Sequence, residues 1–168
     1  MIIGIGGVSR AGKTSLAFKI REWLGDDEVS ILHQDEFVHP NQDLPRIKGH
    51  IDWEHPKSLN FKALIEKVIA ENEQKKYVVV EGLMVFWSEE LRNLMDKKIY
   101  LEITKQAFLS RKTLDNRWGE EPDWYIEHIW ENHFIYGRIP DHEIGVLQLD
   151  GEACCIDDST KIFLGLKL

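Results

Sequence analysis

The chain has 168 residues, with 21 Lys and Arg against 29 Asp and Glu, for a formal net charge of −8. That is one domain's worth of polypeptide, long enough to bury a real core. Its acidity excludes a general electrostatic attraction for nucleic acid or for an anionic membrane surface.

Residues 1–5 are a short apolar run of the kind that forms a buried parallel strand. Directly after it comes Gly7-Val8-Ser9-Arg10-Ala11-Gly12-Lys13-Thr14, which fits the pattern Gly, four residues, Gly-Lys-Ser/Thr. Leu16, Ala17, Ile20, Trp23 and Leu24 then recur at helical spacing, predicting a helix over 13–24 that Gly25 terminates. Strand, glycine loop and helix together make a phosphate cradle. Gly7 and Gly12 let backbone N–H groups approach phosphate oxygens with no Cβ in the way. The helix start, with Ser15 in its first turn, adds unpaired donors and the positive end of the dipole. Lys13 would reach the β- and γ-phosphates of ATP, and the Thr14 hydroxyl would bind Mg²⁺.

Further along, 29–33 reads as a second strand. Residues 34–56 carry three prolines and few aliphatics, and are expected to form a long exposed excursion of functional character. Ser58 can cap a helix reaching about residue 72. Tyr77-Val78-Val79-Val80 is the clearest buried strand, and it ends in Glu81-Gly82. A short helix over 89–95, a strand over 98–102 and a helix over 105–117 follow. A polar break at 119–122 separates these from a helix over 122–136 and a last strand over 146–149. The alternation predicts a parallel sheet covered by helices on both faces. Ligands of such sheets sit at the carboxyl ends of the strands. Gly7, Asp35, Glu81 and Asp150 all fall just after predicted strands, so they share one edge.

Asp35 is the candidate to orient an acceptor hydroxyl and take its proton, because phosphoryl transfer needs a carboxylate within hydrogen-bond reach of the nucleophile. Glu81 stands where a strand-end acid would hold Mg²⁺ directly or through water. Arg111, Lys112 and Arg117 precede the polar break and could close on phosphates as part of a lid over about 110–122. The seven histidines make no ligand cluster, and His128 and His133 are not spaced as a metal pair. Ile126, Ile129, Trp130 and Phe134 are expected in the core. Cys154 and Cys155 form neither a disulfide framework nor a metal spacing, and read as small buried hydrophobes in a reducing cytoplasm. No targeting segment or membrane-length apolar run is visible.

Several of these residues occur in a recognisable order. Gly7 to Thr14, Gln34-Asp35-Glu36-Phe37, Trp53-Glu54-His55-Pro56, Glu81-Gly82 through Phe86, His128-Ile129-Trp130 and Leu149-Asp150-Gly151 resemble the uridine kinase and nicotinamide riboside kinase group of P-loop nucleoside kinases. Among these they look most like the nicotinamide riboside kinases. The resemblance covers about residues 1–151. It implies a P-loop NTPase three-layer α/β sandwich, with about five parallel strands, a small lid and one domain over 1–168. It also implies ATP- and Mg²⁺-dependent transfer to the 5′-hydroxyl of a nucleoside-like molecule. By this resemblance Asp35 matches the catalytic aspartate, and Arg111 and Arg117 the lid arginines.

Glu54 falls where uridine kinases have an aspartate that holds the ribose hydroxyls, and its reach is longer by one methylene. Trp53 would offer an aromatic face to the base, with Phe37 in the acceptor region as well. Nicotinamide riboside is the first expected substrate, and uridine or cytidine the second. The expected partners are small molecules, with no nucleic acid or membrane, in a monomer or homodimer. A long final helix is expected to be missing or much reduced after residue 151. A reading of another class stays open, in which a P-loop domain acts as a nucleotide-driven switch with no small-molecule acceptor.

Overall fold

The computed structural model describes residues 1–115, 121–153 and 156–167. Five strands form one parallel sheet: β1 (Ile2–Gly7), β2 (Val29–His33), β5 (Tyr77–Glu81), β6 (Lys97–Glu102) and β7 (Val146–Asp150), in the order β2-β5-β1-β6-β7. Strand side chains alternate between two cores, as the twofold period of a strand requires. Ile3, Ile5, Val79, Ile99 and Leu101 face α1 (Lys13–Leu24), α4 (Lys105–Lys112), α5 (Asp123–Asn132) and α6 (Ile156–Leu164). Ile2, Val78, Val80 and Tyr100 face α2 (Phe61–Gln74) and α3 (Glu89–Leu94). Both faces are covered, which is why the valine run of β5 is apolar throughout.

The P-loop is shaped by two glycines. Gly7 has φ of 142°, and a Cβ there would sit 2.3 Å from the carbonyl oxygen of Leu101 on β6. Gly12 precedes α1 in the left-handed region at φ 103°, with no side-chain cap on the helix start. A helix start with no side-chain cap suits an anionic ligand.

Three sequence expectations need correction. The 34–56 excursion is partly ordered by a small hairpin of β3 (Arg46–Ile47) and β4 (His50–Ile51). The helix expected over 105–117 ends at Lys112. Thr113 turns its hydroxyl back onto the Ser110 carbonyl at 3.0 Å, and Leu114 points to solvent, so the apolar periodicity stops there. Beyond Asn132 the helix widens into one π-helical turn, His133–Gly137. The extra residue in that turn rotates the following side chains, and Phe134, expected in the core, is 48% exposed. The final helix, α6, has nine residues; it buries Thr160 and Leu164, packs on β7, and is tied to α1 by Lys19–Asp157 at 2.7 Å. Asp157 and Asp158 in its first turn suit the positive end of its dipole. Arg117, Cys154 and Cys155 lie outside the described residues.

After β5 the chain runs as a buried strap, with Leu83, Met84, Val85 and Phe86 all buried. Gln34 holds this strap. It is 2% exposed, and its side-chain oxygen accepts the Met84 N–H at 3.0 Å. Gln34→Leu keeps the volume but leaves that N–H unpaired, so unfolding free energy should drop by about 1–3 kcal/mol in urea denaturation. An unchanged midpoint would remove Gln34 from this role.

Candidate active site

One cavity of about 960 Å³ opens at the carboxyl ends of β1, β2 and β5. At one end it is lined by the P-loop and the start of α1, with Ser9, Arg10, Gly12, Lys13, Thr14 and Ser15. Asp35, Trp53, Glu54, Tyr125 and His50 line the other end, and Glu81 and Arg111 lie on its wall as well. A volume of this size accommodates two small ligands side by side.

The strand ends place the metal candidates. His33 and Glu81 are direct neighbours across β2 and β5. Glu81 is 6% exposed, and its Oε1 accepts the Thr14 hydroxyl at 2.8 Å and lies 2.7 Å from His33 Nδ1. Thr14 and Glu81, singled out separately in the sequence, therefore meet. Two hard oxygen donors fit Mg²⁺, which usually takes one or two protein ligands and completes its shell with phosphate oxygens and water. Among the described residues no group of three His, Cys, Asp or Glu is placed to hold a metal alone.

The P-loop itself is braced from the end of α4. Lys13 Nζ donates to the Val8 carbonyl at 3.0 Å. Arg10 holds a left-handed φ of 66°, a conformation that costs about 1–3 kcal/mol for a residue with a Cβ. Its carbonyl accepts from Arg111 at 3.0 Å, and its guanidinium pairs with the buried Asp115 at 3.5 Å. Arg111 also donates to the Gly151 carbonyl at 3.2 Å. The guanidinium expected to close on phosphates is thus a tie between the P-loop, α4 and the end of β7. Lys112 is buried and paired with Glu121 at 2.6 Å.

The sequence reading singled out Asp35, Trp53 and Glu54 at this end but missed the contacts that hold it. Asp52 is 7% exposed, and its Oδ1 accepts from the Glu54 N–H at 3.2 Å and lies 2.8 Å from His128 Nε2. The Trp53 N–H donates to the Tyr125 hydroxyl at 3.0 Å, and the His50 ring lies 4.3 Å from that of Tyr125. These contacts fasten the 46–56 arm onto α5 and leave Trp53 39% exposed at the cavity. A polar pair at 125 and 128 on an apolar helix face was the available signal. Phe37 does not line the cavity. It packs against the core beside α2 instead. Val8 and Ala11 are buried, and contribute to the loop through their backbones.

Three carboxylates crowd this end, and Glu54 shows the consequence. Burial, then the charges of Asp35 and Asp52, push its carboxyl from 4.5 up to about 8, against the opposing pull of Lys112 and Lys13.

No protein-family model matches the chain. A uridine kinase of Chlamydia pneumoniae is 32% identical over 138 residues, spanning 67% of this chain and 62% of that relative. Human nicotinamide riboside kinase 1 is 23% identical over 168 residues, spanning 89% of this chain and 83% of its own length. The chain is similar to members of the uridine kinase and nicotinamide riboside kinase group, and spans less than two thirds of the length of that Chlamydia relative. A solved sugar kinase from Janibacter sp. HTCC2649 superposes with a TM-score of 0.67, at 15% identity, over 98% of this chain and 94% of that one. In this chain the Gln34-Asp35 and Glu81-Gly82 pairs stand at the ends of adjacent strands.

The raised Glu54 carboxyl has a measurable effect. Folded protein holds that proton more tightly than unfolded chain does, so stability should fall as pH rises from about 4.5 to about 8. Glu54→Gln removes the titration. The difference in unfolding free energy between pH 5 and pH 8 should shrink by about 1 kcal/mol or more, one pH unit being worth about 1.4 kcal/mol. An unchanged slope would place the proton elsewhere.

Proposed function

We propose that the chain, as one domain over 1–168, is an ATP- and Mg²⁺-dependent kinase acting on the 5′-hydroxyl of a small nucleoside. The observation that carries this reading is the single cavity joining the P-loop to the Asp35, Trp53 and Glu54 arm. A switch protein needs only the first half of it.

The chemistry follows from the residues. N–H groups of the P-loop and α1 hold the β- and γ-phosphates, with the Lys13 ammonium bridging them. Thr14 and Glu81 would hold Mg²⁺, which when bound would offset the charge growing on the leaving diphosphate. Asp35 lies on the acceptor side, exposed to the cavity, where its carboxylate can orient the 5′-hydroxyl and accept its proton. The acceptor oxygen then bonds to the γ-phosphorus as the bond to the β-phosphate bridge breaks, releasing ADP. Glu54 is placed to contact the ribose hydroxyls, and Trp53 offers its face to the base.

Nicotinamide riboside is the first acceptor on this reading. The crowding of Asp35, Asp52 and Glu54 favours a cationic ring, which a Trp face also attracts. Uridine and cytidine are the second, supported by the uridine kinases among the relatives. ADP release from Mg·ATP, with each nucleoside and with none, separates the readings. Stimulation by nicotinamide riboside is expected. Stimulation by the pyrimidines alone would move the substrate and keep the mechanism, whereas a slow rate unaffected by any of them would favour the switch.

Two variants test the roles. Lys13→Ala should abolish transfer and weaken ATP binding. Asp35→Asn should lower kcat by roughly 10²–10⁴ while ATP affinity, measured by calorimetry, stays within a few fold. Unchanged turnover in Asp35→Asn would remove it from the mechanism.

A further inference from the structure

His33 has no place in the chemistry above, yet it touches the acid on which the metal site depends. Its Nδ1 lies 2.7 Å from Glu81 Oε1, and the Thr14 hydroxyl donates to that same oxygen at 2.8 Å. No described hydrogen bond ends on Glu81 Oε2. Two donors on one oxygen fix the carboxylate plane and leave the other oxygen to the cavity that Glu81 lines.

The arrangement is built by two regular spacings. His33 and Glu81 are paired in register across parallel strands, so their side chains leave the sheet on the same face. Thr14 and Phe18 are four residues apart on α1, so they lie one turn apart on one face of it. Thr14 meets Glu81, and the Phe18 ring meets His33 edge-on with centroids 6.0 Å apart. A carboxylate can only accept, so Nδ1 must carry the hydrogen, and the edge contact with Phe18 holds the ring in that orientation. The His33 side chain is 27% exposed, too open for a core packing residue and too close to Glu81 to be an indifferent surface one.

We propose that His33 is a positioning residue for the metal site. Its Nδ1–H and the Thr14 hydroxyl clamp Glu81 Oε1, so that Oε2 is presented in one orientation to the nucleotide-bound divalent cation or its water. The proposal rests on the kinase reading, in which Glu81 serves that cation. Outer partners that orient a metal-binding carboxylate change metal affinity by about 10- to 100-fold when removed. His33 is not among the residues that line the cavity, so metal-free nucleotide affinity should not change.

The test uses Mn²⁺, a carboxylate- and water-bound stand-in for Mg²⁺ that is visible by electron paramagnetic resonance. Mn²⁺ is titrated into the full chain with saturating ADP, and ADP affinity is measured separately in EDTA. Wild type should bind one Mn²⁺ only when ADP is present. Failure of that control overturns the kinase reading itself, independently of His33. His33→Phe keeps a ring beside Phe18 but has no donor, and should raise the Mn²⁺ dissociation constant about 10- to 100-fold with ADP affinity in EDTA within twofold. His33→Asn puts an N–H near the position of Nδ1 and should recover most of the loss. If His33→Phe is not folded by thermal melting, His33→Leu carries the same test. Mn²⁺ affinity within twofold of wild type, an equal loss in His33→Asn, or a parallel loss of metal-free ADP affinity would each overturn the proposal.

Discussion

The hydrogen bond from Thr14 to Glu81 joins residues 67 positions apart, and the rest of the site depends on it. It forms only if α1 starts where Gly12 lets the chain turn, and if β5 ends level with the P-loop. The parallel register meets the second condition: Ile5 pairs with Glu81, and His33 pairs with Glu81 from the other side. β2 and β5 thus end at one level, β1 runs two residues further into the P-loop, and Glu81 and the residues just after β1 and β2 line the same cavity. Buried sheet packing fixes that level, because slipping a strand by one residue would turn its apolar side chains to the wrong face.

Charge is divided along the cavity. Lys13, Arg10 and Arg111 stand at the phosphate end, where helix N–H groups add to the positive potential. Asp35, Glu54 and the buried Asp52 stand at the acceptor end. Such a split suits a polyanionic donor at one end and a neutral or cationic acceptor at the other. It also has a cost at the acidic end, seen in the raised Glu54 carboxyl. The arm that carries these acids is held by single contacts to α5, chiefly Asp52–His128 and Trp53–Tyr125, rather than by a sheet.

What the sequence revealed and what it hid divide along the same physical line. The P-loop, Asp35 and Glu81 were legible because each follows a strand whose apolar run is unmistakable. So was the five-stranded parallel sheet. Contacts made across the chain left no local trace. Gln34 reads as an ordinary polar loop residue until the Met84 N–H is seen to need it. Asp52 and His128 are 76 positions apart, and only the fold brings them together. Arg111 was expected to close on phosphates from a lid, and its two carbonyl partners on the P-loop and after β7 were invisible locally. Phe134 was misplaced because helical periodicity assumes a uniform turn, and the π-helical turn after Asn132 breaks it.

The central claim is that both substrates occupy one cavity together and that the phosphoryl group passes directly from one to the other. The stereochemistry at phosphorus tests it, using ATP made chiral at the γ-position with oxygen isotopes and sulfur, and the nucleoside that stimulates ADP release. A single in-line displacement inverts the configuration in the phosphorylated product, and inversion is the result this account predicts. Retention would require two displacements through a phosphorylated enzyme and would contradict it.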